Sequence, residues 1–535
     1  MAGPTRKGES MKTAIPHDTQ RSKPLILAAV CLAALVLPLA FSGGAVATPA
    51  IGRDLGGSAS ALTWITNAFM LSFGSLLMAA GALADQFGRK RLFIWGLGGF
   101  IATSLALGCA PSVGWLDGLR ALQGVAAAAS LASGTAALAQ EFDGHARTRA
   151  FSMLGTSFGI GLAFGPLMAG ALIAQSGWRA IFFAIAAIGA LAFGFGVPRM
   201  RETRDPDASG LDWPGTLSFT GMLALFTFAV IQAPQDGWAS PTVAGMLAAS
   251  ALLLMVFVMV ETRVAHPMLT LSLFRYPRFV GVQMLPIGTC YCYIVLIVML
   301  PLRFVGAEGL GEMDAGLLMI ALSAPMLVVP MLVASLTRWA SAGVLSGIGF
   351  LIAALGLYWL SRVDMSASRA SVIGPMLVIG VGAGMPWGLM DGLSVSVVPK
   401  ERAGMASGIF STTRVAGEGI ALAIVTAMLA GLAQTSLAQA VAQLPQNGPA
   451  LAAQIAEAAQ RLTTGDLAQA AASLPQISRH ELALSYTQAF TRLLHVLIVI
   501  TLLSALASFA FLSRAGSRDD RPGQPQRKVA ESVAA

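Results

Sequence analysis

Charged side chains are scarce in this 535-residue chain. Asp, Glu, Lys and Arg together make up 11% of it, against about 25% in a soluble domain. Hydrophobic residues make up 56%. So few charges cannot cover a water-facing surface, and the bilayer is the solvent that this composition fits. Cysteine is equally sparse. Cys31, Cys109, Cys290 and Cys292 all fall in or at the edge of apolar runs, which excludes a secreted disulfide framework and reads as buried, inert thiols. Cys290 and Cys292 lie two apart, but no third or fourth ligand accompanies them, so no metal site is expected. Of five histidines only His495 falls inside a long apolar run, where it reads as a packing residue. No Ser/His/Asp set and no cofactor motif is present, which argues against an enzyme. The net charge of +8 is spread in short basic clusters between apolar runs, not gathered on one face. That pattern belongs to membrane-flanking loops and gives no reason to expect a nucleic-acid partner.

What the chain does have is long apolar runs. A helix needs about 20 mostly apolar residues to cross the hydrocarbon layer. Fourteen runs qualify: 24–46, 62–84, 92–110, 115–139, 151–174, 180–197, 214–232, 241–260, 279–302, 315–336, 341–360, 371–397, 404–431 and 486–512. They are too long and too evenly apolar for barrel strands, so the expected class is an all-α polytopic membrane protein. Basic residues check the count independently. With both termini cytoplasmic, alternate loops and the two tails hold 24 of the 34 Lys and Arg residues, as the positive-inside rule requires. A polar, basic stretch precedes the first run without a convincing cleavage site, and reads as a retained signal anchor. The polar segment 432–485 is expected on the outer side, as a spacer or as a lid over an outer vestibule. Its near-repeat, LAQAVAQLPQ from Leu437 and LAQAAASLPQ from Leu467, fits two short helices each ending at a proline.

Three motifs are more specific. GALADQFGRKR (Gly81 to Arg91) ends the second run. There Gly81 permits close helix approach, Asp85 can pair with Arg89 or cap a neighbouring helix, and Gly88 allows a tight turn. LRALQG in the fourth run places Arg120 inside an apolar helix, followed by Gln123. GIGLAFGPLMAG in the fifth carries Gly161, Gly165, Pro166 and Gly170, small residues for helix contact and a proline for a bend.

These motifs resemble, in turn, the G-x-L-a-D-r-x-G-r-k-r, R-x-x-Q-G and G-x-x-x-G-P-x-x-G-G elements of the major facilitator superfamily. With fourteen spans they resemble its drug:proton antiporter branch. The resemblance implies two pseudo-symmetric six-helix bundles with two extra central helices. The expected division is a cytoplasmic tail (1–23), a first bundle (24–197), a linker with the two extra spans (198–260), a cytoplasmic loop (261–278), a second bundle containing the outer loop (279–512) and a second tail (513–535). It also implies a multi-pass inner-membrane exporter of small amphipathic compounds, with protons as counter-ion and alternating access through a central cavity. A monomer is expected, and nothing indicates a periplasmic adaptor.

The pattern breaks in the first helix; Glu418, where the branch usually has a small residue, is a second departure, and Ala169 replaces a glycine of the fifth-helix element. The branch usually carries an Asp and then an Asn in its first helix. Aligning on Pro49 puts Ala40 and Ala45 there. Few ionisable groups inside the runs remain to take over. A central charge costs about 2.5–3.5 kcal/mol even on lenient scales, so each needs a reason. Asp391 lies about 12 Å from Pro399 along its helix. Arg414 lies at a similar depth on the next, antiparallel helix, with Glu418 four residues on and on the same face. Asp391 and Glu418 are therefore candidate proton carriers tuned by Arg414; a purely structural ion pair is the alternative. Arg120, Gln123, Arg303, Trp387 and Met390 are candidates for the cavity wall. Without the first-helix acid, neutral or anionic substrates fit better than lipophilic cations. The competing function is an uncoupled, or differently coupled, exporter or facilitator for one neutral or anionic metabolite.

Overall fold

In lipid a spanning segment must satisfy its own backbone, and fourteen apolar segments do so here as helices. A computed structural model describes residues 17–142, 144–204, 212–264, 271–363, 369–397, 403–441 and 449–513. Both expected tails beyond these limits, the loop 265–270 and the pair Lys400 and Arg402 lie outside the described residues.

The first six spans are α1 (His17–Leu55), α2 (Ala59–Phe87), α3 (Arg89–Gly108), α4 (Val113–Glu141), α5 (Gly144–Ser176) and α6 (Arg179–Gly196). The next two are α7 (Trp213–Asp236) and α8 (Pro241–Arg263). The ninth span runs from α9 (Pro277–Thr289) through π-turn Cys290–Ile294 and α10 (Val295–Leu302) into π-turn Arg303–Ala307. The tenth joins α11 (Glu312–Ser323) to α12 (Pro325–Leu336), broken where Pro325 offers no N–H. Then follow α13 (Ala342–Ser361), α14 (Ile373–Ser396), α15 (Ala403–Val441), two helices outside the spans, α16 (Pro449–Thr463) and α17 (Leu467–Ser473), and finally α18 (Arg479–Leu512).

An even number of crossings puts both ends of the described chain on one face, the tail face; α16 and α17 lie on the other, the loop face. α1 packs on α5 and α6, and α2 on α4, as one group; α13 packs on α14 and α18 as another. The two groups meet along a seam where α2 crosses α15 and α5 crosses α11. At the first crossing Gly74 lies so near Ala416 that a Cβ would stand 2.6 Å from its Cα. α7 covers this seam, packing Val230 and Ile231 against Ala423 and Ala427. α8 packs on α7 and is the most exposed span, only 17% of its apolar window being buried, as expected of a lipid-facing helix.

Three expectations need correction. α1 does not end near residue 46 but continues through Pro49 to Leu55, with Ile51 fully buried. The first copy of the near-repeat forms no separate helix: α15 runs straight on to Val441, and the described extra helix is α16. The second copy does form one, α17, which ends ahead of Pro475. Among single residues, His495 lies on an exposed face of α18 and is not a packing residue, and of the four thiols expected to be buried Cys109 is exposed at the loop end of α3 and Cys31 is only partly buried.

Candidate functional site

Asp391 and Arg414 meet at the seam. One Arg414 nitrogen, Nη1, donates to Asp391 Oδ1 at 3.2 Å. The two groups are not equally buried: 43% of the Asp391 side chain is exposed, but only 9% of Arg414's. The rest of the Arg414 surroundings is aromatic. Its guanidinium carbon lies 5.1 Å from the Phe158 ring centre, 5.7 Å from Phe410 and 5.9 Å from Trp387. Such faces attract a cation without accepting its protons, which leaves Arg414 Nε buried with no hydrogen-bond partner among the described residues.

The wall opposite comes from α5, in the first helix group. A Cβ on Gly155 would lie 3.3 Å from Asp391 Oδ2, and one on Gly159 would lie 3.6 Å from Trp387 Nε1. Gly155, Phe158 and Gly159 were not among the sequence candidates. The two glycines had a signal in their four-residue spacing, which lets helices approach closely in lipid, whereas Phe158 had none.

Glu418 sits one turn beyond Arg414, 4% exposed, and its Oε1 finds no hydrogen-bond partner among the described residues. It lies opposite the first π-turn, where Cys290 Sγ approaches the Glu418 carbonyl oxygen at 4.0 Å.

The other candidates stand apart from this cluster. Arg120 is fully buried inside the first helix group: Nε donates to the Ile65 carbonyl at 2.8 Å, and Nη1 donates to Gln123 Oε1 at 2.6 Å. The guanidinium lies 4.4 Å from the centre of the Phe69 ring, and Gln123 is fixed in turn by donating to Ser104 Oγ at 2.7 Å. Asp117 lies three residues earlier on α4, and its buried Oδ1 has no hydrogen-bond partner among the described residues. Sequence reasoning missed Asp117, although its i,i+3 spacing to Arg120 was legible. Arg303 is buried at the loop end of the ninth span, with Nε donating to Glu308 at 3.1 Å and the Phe490 ring 4.8 Å away. Met390 is fully buried in the main core, so of the two proposed wall residues on α14 only Trp387 reaches the cluster.

The glycine motifs divide by task. Gly88, at φ +112°, makes the one-residue turn between α2 and α3, a conformation that side chains resist. Asp85 pairs with Arg89 at 2.7 Å, whereas the start of α3 is capped by Glu202, whose carboxylate accepts from the Lys90 and Arg91 amides. Gly81 meets nothing within 4 Å, so it is not a close-approach glycine in this structure. Gly161 and Gly165 let α5 press on Leu35 and Ser42 of α1, within one helix group, with Pro166 in the turn between them and Gly170. Gly170 instead meets Glu312 and Gly316 of α11 across the seam.

The sequence model of the Major Facilitator Superfamily matches residues 30–422. The multidrug resistance protein Stp of Mycobacterium tuberculosis is 30% identical over 394 residues, 73% of each chain. The cephamycin export protein CmcT of Amycolatopsis lactamdurans is 32% identical over 430 residues, which is 79% of this chain and 87% of the relative. The tetracenomycin C resistance and export protein of Streptomyces glaucescens is 28% identical over 451 residues, 83% of this chain and 84% of the relative. A solved bacterial homolog of the human lysosomal transporter Spinster, inward-facing and unoccupied, superposes with a TM-score of 0.59 at 16% identity, covering 93% of this chain and 98% of that one. At that identity the likeness concerns the fold. Fourteen spans, two helix groups meeting at a charged seam and these relatives lead to one assignment: the chain belongs to the Major Facilitator Superfamily, as a multi-pass efflux transporter of the inner membrane and not an enzyme.

Proposed function

We propose that this transporter exchanges protons for a neutral or anionic amphipathic compound, with Asp391 as the proton carrier and Arg414 as the group that reads its charge. The observation that carries this reading is the half-exposed Asp391 carboxylate, 3.2 Å from a buried guanidinium at the seam between helix groups. Ionised, Asp391 holds Arg414 against α14. Protonation removes that attraction and leaves Arg414 to its aromatic partners, one of which, Phe158, belongs to the other helix group. Substrate N–H or hydroxyl donors take the proton's place on the half-exposed Asp391 carboxylate, and Trp387 and Phe158 offer its rings a face. Proton and substrate thus compete for one carboxylate, which makes exchange rather than co-transport the natural outcome. With the tail face cytoplasmic, the exposed side of Asp391 serves loading from the cell interior. Glu418 supports a second acid in the same path, because its buried Oε1 has no partner among the described residues.

The test is drug-stimulated proton release from proteoliposomes holding an imposed pH gradient, with tetracenomycin C, cephamycin and puromycin as probes. Asp391→Asn is expected to abolish the proton signal and slow gradient-driven export by about tenfold or more, the equivalent of 1.4 kcal/mol. Glu418→Gln identifies which acid carries the proton. Normal proton-linked export by both variants defeats the reading. Export that ignores a collapsed gradient in the unaltered protein would point instead to an uncoupled exporter.

A further inference from the structure

Near the loop face the two helix groups do not close completely. A cavity of ≈ 30 Å³, room for about one or two water molecules, lies between α1 and α2 on one side and α10 and α15 on the other. Its roof is the tip between α16 and α17, which reaches both groups: Arg461 donates to the Gly57 carbonyl at 2.8 Å, and Gly465 packs on Gly306 and Pro49. The lining carries no charged side chain. It consists of apolar residues, hydroxyls (Thr48, Thr66 and Thr464 among them) and Asn67.

The polarity of those groups is directional. Thr48, Thr63, Thr463 and Thr464 each donate their hydroxyl proton to a carbonyl of their own or the preceding helical turn, which leaves oxygen lone pairs free to accept. Asn67, 2% exposed, adds an amide oxygen with no hydrogen-bond partner among the described residues. A buried acceptor without a donor costs about 1–3 kcal/mol, so a chamber rich in them favours an occupant that brings donors. A second cavity, ≈ 20 Å³, adjoins the first towards α7 and Gln460, and the two share Thr63, Thr426 and Thr463. Those three residues come from three separate parts: the first helix group, the second, and the outer segment.

We infer that this chamber is an exit-side binding site for an uncharged molecule bearing hydroxyl or N–H donors, with Thr63, Thr426 and Thr463 as the constriction through which it leaves beside α7. Widening the constriction requires only that the helix groups separate on the loop face, because each threonine moves with a different part. The small Ala45 side chain provides the room, since a larger residue there would fill the chamber. The inference rests on the export reading for its physiological meaning, but the chamber's chemistry is testable without an exported drug.

The experiment uses full-length protein in proteoliposomes with Cys31→Ser, Cys109→Ser, Cys290→Ala and Cys292→Ala, to which Thr426→Cys or Thr463→Cys is added singly. A protein keeping Cys109 alone, exposed at the loop face, serves as reference. Labelling rates are measured with hydroxyethyl, sulfonatoethyl and trimethylammonioethyl methanethiosulfonate, each divided by its rate at Cys109. At both positions the hydroxyethyl reagent is expected to react about tenfold or more faster than the two charged ones, because a charge entering this lining finds no counter-charge. Adding Ala45→Leu is expected to slow the hydroxyethyl reaction selectively. Equal normalised rates for the three reagents, no reaction at either position while Cys109 labels, or indifference to Ala45→Leu overturns the inference. The two positions lie on different elements, so misfolding of one variant leaves the other decisive. Failure of the proton-exchange reading shows in the drug assay and leaves these rates unchanged.

Discussion

Arg120 and Arg414 are the same side chain buried in apolar helices, Arg120 towards the loop face and Arg414 towards the tail face, and they are held in different ways. The described partners of Arg120 all belong to its own helix group: the Ile65 carbonyl, Gln123 and the Phe69 ring. Two of these are fixed backbone or amide acceptors, and the whole set stays in place when the groups move apart. Arg414 has a single oxygen partner among the described residues, on a half-exposed carboxylate, and three rings, one of them from across the seam. Tying a buried cation to several acceptors within one helix group makes it part of the scaffold, although Arg120 Nη2 itself finds no hydrogen-bond partner among the described residues. Holding a cation by one acceptor, and across a moving joint, makes it responsive. The same contrast explains why the signature motifs do not collect at Asp391. Arg120, Gln123, Gly161 and Gly165 assemble the first helix group, while Pro166 and Gly170 at the end of that series reach α11 across the seam.

The contrast can be tested by graded substitution. Arg120→Ala should give the largest loss of stability, about 3–5 kcal/mol, because it strips fully buried polar groups of their partner. Thermal melting in detergent would show it as a large drop, and an unchanged melting point would remove Arg120 from the scaffold. Phe158→Leu should cost far less, about 0.5–2 kcal/mol of attraction for the Arg414 cation. Its effect belongs in the transport rate and in the pH at which transport is half-maximal, with melting nearly unchanged. The reverse outcome, a destabilised protein with normal transport, would make the Arg414 surroundings structural. The smallest effect is expected from Arg53→Gln. Arg53 pairs with Glu312 across the seam at the loop face, but its side chain is 62% exposed. Such a pair is worth about 0–1 kcal/mol, so melting should barely move, and any gain in loop-face accessibility should fade as salt is raised.

Much of the architecture was legible from hydropathy. All fourteen runs correspond to helices that meet the length and composition of a span, since lipid imposes both. The pairing of Asp391 with Arg414 was legible too, because 1.5 Å per residue fixes depth on antiparallel neighbours. Azimuth was not. In water the apolar face of a helix points inward, but in lipid both faces are apolar, so nothing in the pattern of α5 singled out Phe158 over its neighbours. The same blindness made His495 a packing residue. Residues 290–294 and 303–307 form π-turns, whose extra residue per turn re-aims every side chain that follows. The long reach of α15 was hidden for another reason. Residues 432–441 are rich in Ala and Gln, polar enough to look like a loop yet strong enough in helix propensity to extend one.

That reach has a mechanical consequence. α15 has 39 residues, about 58 Å of helix, of which the hydrocarbon layer accounts for about 30 Å. Val441 stands about 40 Å beyond Arg414 along the shaft. A pivot of about 10° at Arg414 swings that far end by about 7 Å, more than the width of a helical turn. The outer segment hangs from this end and is pinned to the other helix group by Arg461 on Gly57. On the proposed reading, a small tilt of α15 set off beside Asp391 reaches the outer rim enlarged, through one unbroken rod.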